Sequence, residues 1–301
     1  MEAWIPITIA AALAQTVRFM LQKHLKSTQL TTTGATFARF IYSAPLIAIL
    51  IVAYGSFSQQ VLPETDSRFW GFALSGGLAQ ILATMCVVAL FGERNFAVGI
   101  TFKKTEVILT AIVGYLLLGE GLSIMALFAI LIGLCGVILM SSHALDMDTP
   151  LSGRIFNKAT ALGLASGMFF AVSAVGYRGA SLSLSSGDVA LRAGYTLALV
   201  TASQTVAMAI WLAWKDRTQL SAVAKSWRVS GLVGLTSMVG SFCWFSAFTL
   251  QNAAYVNALG QVELVFSLAA SVLFFRETVS RREIAGIALL GAGIMALFWS
   301  L

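Results

Sequence analysis

The chain has 301 residues, of which 58% are hydrophobic and 11% are charged, and its mean hydropathy is +0.86. This composition excludes an ordinary soluble domain and indicates an integral membrane protein embedded in a lipid bilayer. A net charge of +6 would suggest nucleic-acid binding in a soluble protein. Here the basic residues lie mostly in short loops, which is typical of membrane topology, so we expect no nucleic-acid partner.

Ten apolar runs are long enough to cross about 30 Å of hydrocarbon. Their approximate limits are 4–22, 35–54, 70–91, 96–118, 122–141, 159–178, 189–213, 229–249, 254–275 and 283–300. The first run lacks the basic start and the small-residue cleavage site of a signal peptide. We therefore interpret it as a membrane span like the others.

The fourth and ninth runs carry the same pattern of polar residues inside apolar sequence. A shift of 157 residues aligns 95–120 with 252–277 without a gap. The aligned polar pairs are Asn95 with Asn252, Glu106 with Glu263, and Glu120 with Glu277. Each copy is predicted to form one long membrane helix, and we expect Glu120 and Glu277 at the helix ends to pair across loops. The chain therefore contains an internal repeat.

Each half of the chain holds five predicted spans, and an odd number of spans leaves the second half in the opposite orientation. The predicted fold class is an all-α membrane protein with ten transmembrane helices, arranged as a five-plus-five inverted repeat. We assign 1–141 to the first repeat, 142–158 to a linker and 159–301 to the second repeat. Twelve Lys and Arg residues lie in odd-numbered loops and two in even-numbered loops, which predicts cytoplasmic odd loops and external termini.

The fifth and tenth spans are rich in glycine and have no charged residue in their apolar cores. Helices associate in lipid by close packing at small residues, because lipid provides no hydrophobic drive between them. We expect these two spans to be packing or dimer-contact helices away from the substrate path, which leaves a homodimer open.

Ionisable residues inside spans cost roughly 2.5–3.5 kcal/mol each on insertion, so they should face a cavity or one another. Lys103 and Glu106 are three residues apart and share one helix face. Lys104 is expected to point toward a neighbouring helix or to a snorkelled position. In the ninth span, Asn257 and Gln261 form a polar row beside the aligned glutamate.

These residues predict a central polar pocket. In this hypothesis Glu106 and Glu263 bind a substrate amine or a proton, while Lys103, Arg39 or Arg192 binds a carboxylate or phosphate. The alternative is structural ion pairing of Arg39 with Glu106 and of Arg192 with Glu263. Some aromatic and amide side chains could line the pocket or could simply pack, namely Phe19, Gln22, Tyr177, Phe242, Trp244 and Phe245.

The candidate substrate-binding residues are Arg18, Arg39, Lys103, Glu106, Arg192, Trp244, Asn257, Gln261 and Glu263. The sequence has no nucleophile elbow, phosphate loop, paired-cysteine motif or nucleotide fingerprint, so we predict no catalytic residues and no enzyme activity. No cluster of His or Cys predicts a metal site, and no cofactor is expected.

The two stretches that end LLLGE at Glu120 and LFFRE at Glu277, together with the Arg39-Phe40 pair in the second span, resemble the EamA-type proteins of the drug/metabolite transporter superfamily. The resemblance covers nearly the whole chain. It implies a ten-helix basket in which spans one to four and six to nine surround a central cavity, with spans five and ten peripheral. It also implies alternating-access transport of small solutes such as amino acids, drugs or nucleotide sugars.

The function predicted from these observations is a carrier in the cell inner membrane that moves a small polar metabolite, either amino-acid-like or anionic. Export is the expected direction, while proton coupling, uniport and exchange remain open. Efflux of multiple drugs or lipophilic cations is an alternative within transport. A membrane scaffold without transport activity is an alternative from another class.

Overall fold

The computed structural model describes residues 2–93, 102–141, 157–185, 188–266, 268–269 and 280–299. Within these ranges the chain is helical and contains no strand. The helices are α1 (Trp4–Thr28), α2 (Thr32–Ser58), α3 (Ser67–Leu90), α4 (Glu106–Leu118), α5 (Ile124–Ser141), α6 (Lys158–Ser183), α7 (Val189–Lys215), α8 (Arg217–Lys225), α9 (Trp227–Leu250), α10 (Ala253–Gly260) and α11 (Arg281–Trp299).

Seven of the described helices are long and apolar enough to cross a membrane, namely α1, α2, α3, α6, α7, α9 and α11. Two shorter apolar helices, α4 and the stretch Ile124–Leu139 of α5, lie between them. These helices confirm an all-α protein that crosses the membrane several times. Parts of the predicted fourth and ninth spans, 96–101 and 270–275, lie outside the described residues, so the count of ten stays a prediction.

Several helices begin at a polar residue that caps the free backbone N–H groups of the first turn. Asp66 accepts a hydrogen bond from the Phe69 N–H at 2.7 Å before α3. Asn157 accepts one from the Thr160 N–H at 2.9 Å before α6. At the other end of a helix, Gly119 terminates α4 with a positive φ of 68°, a conformation that glycine adopts without steric cost.

The two halves meet along a crossing of α5 and α11 that is built from glycines. A Cβ atom on Gly136 or on Gly293 would lie 2.6 Å from backbone atoms of the opposite helix. Gly136 faces Gly286 and Leu290, whereas Gly293 faces Ala129 and Gly133. A 157-residue shift converts the first set of contacts into the second, so the crossing is pseudo-twofold. Residue numbers rise along one helix as they fall along the other, so α5 and α11 cross in an antiparallel sense, as an inverted repeat requires. The two spans that were expected to serve packing or dimer contact thus pack on each other within one chain.

Helix pairing elsewhere follows the same symmetry. The helix α3 packs most extensively on α6, and α1 packs on α9. Because α1 corresponds to α6 and α3 corresponds to α9 in the repeat, the second pair is the first with the halves exchanged. The helices α2 and α7 pack on each other, as do α4 and α10. The interface between the halves therefore consists of helix pairs related by the pseudo-twofold symmetry, and the contact of α4 with α10 is one of them.

The α-helical hydrogen-bond ladder is interrupted in the described parts of the fourth and ninth spans, so neither is the one regular α-helix that the sequence predicts. A turn at Lys104 and Thr105 precedes α4. In the second half α10 ends at Gly260, a turn follows at 261–262, and helix resumes at Glu263. The 157-residue shift places one break on the other. Backbone bonds of the i to i+3 type, such as Gln261 N–H to the Ala258 carbonyl at 3.2 Å, close the turns.

Candidate functional site

Buried charges of the two halves meet at these helix breaks. Lys103 Nζ lies 3.1 Å from Glu106 Oε2 and 3.6 Å from Glu263 Oε1. Lys104 Nζ donates to the same Glu263 oxygen. Because each glutamate begins a helical segment, the partial positive charge of the helix N-terminus adds to the attraction of the lysines. We call these four side chains the charge cluster.

The charge cluster differs between the repeats although the breaks coincide. Both lysines belong to the first half, and the 157-residue shift places Gly260 and Gln261 at their positions in the second half. The lysines of one half therefore neutralise the glutamates of both. This arrangement decides between the two expectations for Lys104, which is 1% exposed and points to Glu263 on a neighbouring helix instead of snorkelling.

Polar residues of α1 extend the charge cluster on one side. Gln15 Nε2 donates to Glu263 Oε2 at 2.6 Å. Arg18 Nη2 donates to Gln15 Oε1 at 3.1 Å, and the Arg18 guanidinium lies 4.4 Å from the centre of the Phe19 ring. Gln15 was not among the predicted site residues, although it lies three positions before Arg18 on the same helix face.

A cavity lies beside the charge cluster and between the halves. Its volume is about 50 Å³, which holds a few water molecules and no ligand the size of an amino acid. The helices α1 to α4, α6, α9 and α10 supply its wall, whereas α5 and α11 supply no described residue. The wall consists of Gln15, Arg39, Gln80, Lys103, Glu106, Phe170, Ser173, Ala174, Tyr177, Trp244, Phe245, Phe248 and Asn257.

Arg39 reaches this cavity from α2 and has no carboxylate partner among the residues that the structure describes. Its Nη1 donates to Thr84 Oγ1 at 2.8 Å, and its Nη2 donates to Ser241 Oγ at 3.3 Å. The ion pair that was considered with Glu106 is not formed, because Glu106 pairs with Lys103. Arg39 is thus held by neutral groups from both halves.

The structure brings five of the predicted residues to the cavity wall, namely Arg39, Lys103, Glu106, Trp244 and Asn257. Asn257 also ties α10 to α4, since its Nδ2 donates to Thr110 Oγ1 at 2.9 Å. Glu263 and Arg18 lie behind the wall and reach it through Gln15. Gln261 instead faces a gap between α5 and α11, and Arg192 is not among the wall residues.

Aromatic side chains form another part of the wall. The Tyr177 and Phe245 rings are stacked with centroids 4.1 Å apart, and Trp244 stacks on Phe248 at 5.6 Å. The Tyr177 hydroxyl also accepts a hydrogen bond from Gln204 Nε2 at 3.3 Å. Hydropathy alone cannot distinguish such wall residues from packed aromatic residues, which is why the sequence left both interpretations open.

The end of the molecule where α4, α6 and α9 terminate is held by one arginine. Arg178 Nε donates to both Glu120 carboxylate oxygens at 2.8 Å. Its Nη1 donates to the carbonyls of Phe248 at 2.6 Å and Gln251 at 2.7 Å. Glu120 thus forms an ion pair at its helix end, as expected, but its partner lies on a helix of the other half rather than across a loop, whereas Glu277 lies outside the described residues. We call the contacts of Arg178 with Glu120 and these carbonyls the Arg178 latch.

Comparison with known proteins gives the family. The sequence profile described as the EamA-like transporter family matches residues 2–142 and 157–299. The chain belongs to the EamA-like transporter family. This confirms the resemblance drawn from the sequence and identifies the protein as a multi-pass membrane protein of a family of transporters rather than enzymes. Within the part of the chain that the structure describes, no group of three His, Cys, Asp or Glu side chains could hold a metal ion.

The fold of this EamA-like transporter is also that of solved proteins. A structure described as "Crystal structure of protein" has a TM-score of 0.67 and 15% sequence identity, with 99% of each chain covered. At this identity the similarity concerns the fold alone. No curated protein matches the sequence significantly.

Proposed function

We propose that this protein moves a small polar metabolite, amino-acid-like or anionic, across the cell inner membrane by alternating access around the central cavity. The proposed direction is export. The observation that carries the proposal is the meeting of two interrupted helices, one from each half, with buried charges at their breaks. The backbone at both breaks keeps helical dihedral angles and tightens to i to i+3 bonds. Such a 3₁₀ stretch inside a helix often marks a functional hinge, and carriers build their substrate sites from discontinuous helices.

The proposed movement is a rocking of one half against the other about the pseudo-twofold axis. Since the cavity holds only a few waters, a substrate can enter the site only when movement of the halves widens it, and we call the described conformation the closed one in this sense. Opening at one end requires release of the Arg178 latch, which joins α4 of the first half to α6 and α9 of the second. The bond between Lys104 and Glu263 also crosses the halves, so the charge cluster must rearrange or move as the halves rock.

The two carboxylates of the charge cluster have different roles in this proposal. Glu263 is held by Lys103, Lys104 and Gln15, which makes it the structural member. Glu106 has Lys103 as its ion-pair partner and lines the cavity. Glu106 is therefore the carboxylate available for a substrate amine or a proton.

The test is counterflow of a labelled metabolite panel in proteoliposomes, with and without a pH gradient. Lys103→Ala and Glu106→Gln each remove one partner of a buried pair, and we expect uptake to fall at least tenfold in both. Lys158→Ala is the matched control, because the Lys158–Glu93 pair is exposed and its loss should leave uptake unchanged.

Uptake that survives both substitutions at the wild-type rate would reduce the charge cluster to a structural role. Wild-type protein that transports no compound of the panel, while folding normally, would count against a carrier and in favour of a membrane scaffold. Uptake driven by a pH gradient in wild type but not in Glu106→Gln would identify Glu106 as the proton-coupled carboxylate.

A further inference from the structure

The buried ionisable residues carry more positive than negative charge. In the described ranges six such side chains are at most 9% exposed, and they are Arg18, Arg39, Lys103, Lys104, Glu106 and Glu263. Four cations thus face two carboxylates. Burial of an unpaired charge is costly in protein interiors and at membrane depth, so an excess of two positive charges calls for an anionic partner.

The excess is located on the two arginines. The lysines pair with the two glutamates in the charge cluster, whereas neither Arg18 nor Arg39 has a described carboxylate oxygen within ion-pair distance. A buried lysine can lose its proton, but a guanidinium stays charged in proteins. The positive charge of the arginines therefore cannot be removed by a proton leaving the side chain.

Unused hydrogen-bond donors accompany this charge. Arg18 Nη1 and Trp244 Nε1 are buried and have no hydrogen-bond partner among the described residues. Both groups can only donate, so they are satisfied by a ligand rich in acceptors. The other buried polar atoms without a partner among the described residues belong to side chains outside the cavity wall, namely Gln22 Oε1, Arg192 Nε, Thr196 Oγ1, Ser237 Oγ and Gln261 Oε1.

Three of these cationic or donor groups line one cavity, namely Arg39, Lys103 and Trp244. The Arg39 guanidinium uses two of its N–H groups on hydroxyls and presents the planar geometry that binds carboxylate or phosphate. We infer that the substrate is a small organic anion of net negative charge, whose carboxylate or phosphate binds Arg39 and the Trp244 Nε1–H in this cavity. This inference rests on the proposed carrier function and narrows its substrate class.

Net negative charge distinguishes this class from the other candidates. A lipophilic cation would add a third excess positive charge to the buried site. A zwitterion could place its ammonium group on Glu106 and its carboxylate on Arg39, but it would leave the excess of two positive charges in place. Only a ligand with more negative than positive groups lowers the buried charge.

The experiment uses four-carbon probes that differ mainly in charge: succinate, γ-aminobutyrate, succinamide and putrescine. Glycerol phosphate is added to separate phosphate from carboxylate recognition. Binding is read from the shift in melting temperature of the purified full-length protein, which does not depend on transport. We expect succinate or glycerol phosphate to stabilise the wild type and the neutral, zwitterionic and cationic probes to have no effect.

Variants then assign the binding to residues. Arg39→Gln should weaken anion binding on the order of 10- to 100-fold, as the loss of a charge-assisted bidentate contact does. Arg39→Lys keeps the charge and should retain part of the affinity, and it also serves if Arg39→Gln does not fold. Trp244→Phe keeps the ring and removes the donor, with an expected loss of several-fold. Lys158→Gln removes an exposed positive charge and should change nothing.

The inference is overturned if no anion stabilises the wild type, if putrescine or γ-aminobutyrate stabilises it instead, or if Arg39→Gln binds succinate and glycerol phosphate as the wild type does. Transport of cations or zwitterions would then still support the carrier. Anion binding that requires Arg39, without transport of any probe, would support the inference and count against the proposed function.

Discussion

Arg178→Gln should open the end of the molecule that the Arg178 latch holds. In the closed conformation Arg178 contacts both Glu120 oxygens and two carbonyls at the C-terminal end of α9. The bonds between Arg178 and Glu120 join the two halves, whereas those to the α9 carbonyls lie within the second half, so a conformation that opens this end must break the pair with Glu120. The substitution therefore destabilises the closed conformation more than the open one.

The magnitude follows from the exposure of the pair. The Arg178 and Glu120 side chains are 13% and 22% exposed, which lies between a surface pair worth at most ~1 kcal/mol and a buried pair worth ~3–5 kcal/mol when one partner is removed. We take about 2 kcal/mol as the loss, which shifts the closed-to-open equilibrium by roughly 30-fold.

The assay is labelling of a cavity cysteine by a membrane-impermeant thiol reagent. The three native cysteines, Cys86, Cys135 and Cys243, are free and are first replaced. Ser173→Cys then places one thiol in the cavity wall with little change in volume. Reagent added from the side of the Arg178 latch should label this thiol at least tenfold faster in Arg178→Gln than in the parent protein.

The opposite end of the molecule offers a matched control. Lys26 Nζ donates to the carbonyls of Val88 at 2.8 Å and Ala89 at 3.1 Å, at the C-terminal end of α3. These bonds lie within the first half, so Lys26→Gln should leave the labelling rate unchanged from both sides. An unchanged labelling rate in Arg178→Gln would refute the reasoning, because it would show that the Arg178 latch does not hold this end closed. Equal acceleration from both sides would also refute it, because it would indicate a general loosening of the protein.

Two further predictions concern stability. Gly293→Val should separate α5 from α11, because its Cβ would lie 2.6 Å from the Gly133 backbone nitrogen, and should cost about 1–3 kcal/mol. Gly291→Ala, with open space around the new Cβ, should melt like wild type in detergent, and equal melting of both variants would contradict the packing argument. The backbone N–H of Leu191 donates to Asp188, just before α7, and holds the pKa of this carboxyl below its ordinary value. The charged carboxylate therefore stabilises the fold at neutral pH, and this contribution is lost as the pH falls through the lowered pKa. Asp188→Ala should thus lose about 1 kcal/mol at pH 7 and less below about pH 4, and a stability gap that does not narrow in acid would contradict this.

Part of the candidate site could be predicted from local sequence. Glu106 and Glu263 coincide under the 157-residue shift, and each is a charge inside an apolar run, which marks both as site candidates. Lys103 and Glu106 are three residues apart, so helical geometry alone places them together, and the structure confirms their contact at 3.1 Å. Trp244 could be named as a candidate, but nothing in the sequence indicated that it would face the cavity.

The helix breaks could not be predicted in the same way. Lys104 and Thr105 at the first break, and Gln261 and Val262 at the second, include neither proline nor glycine. Apolar sequence continues on both sides of the short polar stretches 103–106 and 260–263, so the hydropathy of each whole run predicts a continuous helix. The two halves are in contact at the breaks, since Gly167 of α6 lies against the Lys103 carbonyl and Lys104 binds Glu263, and these contacts exist only in the packed molecule.

The sequence by itself determined the class, the duplication and the identity of the buried charges, since each depends on composition or on spacing along the chain. Only the tertiary structure decided the partners of those charges. Lys104 binds Glu263 across 159 positions, Arg39 binds hydroxyls instead of a glutamate, and Arg178 joins the ends of three helices. The physical reason is that helical periodicity fixes which residues share a face, whereas the facing residue on another helix depends on how the two halves pack.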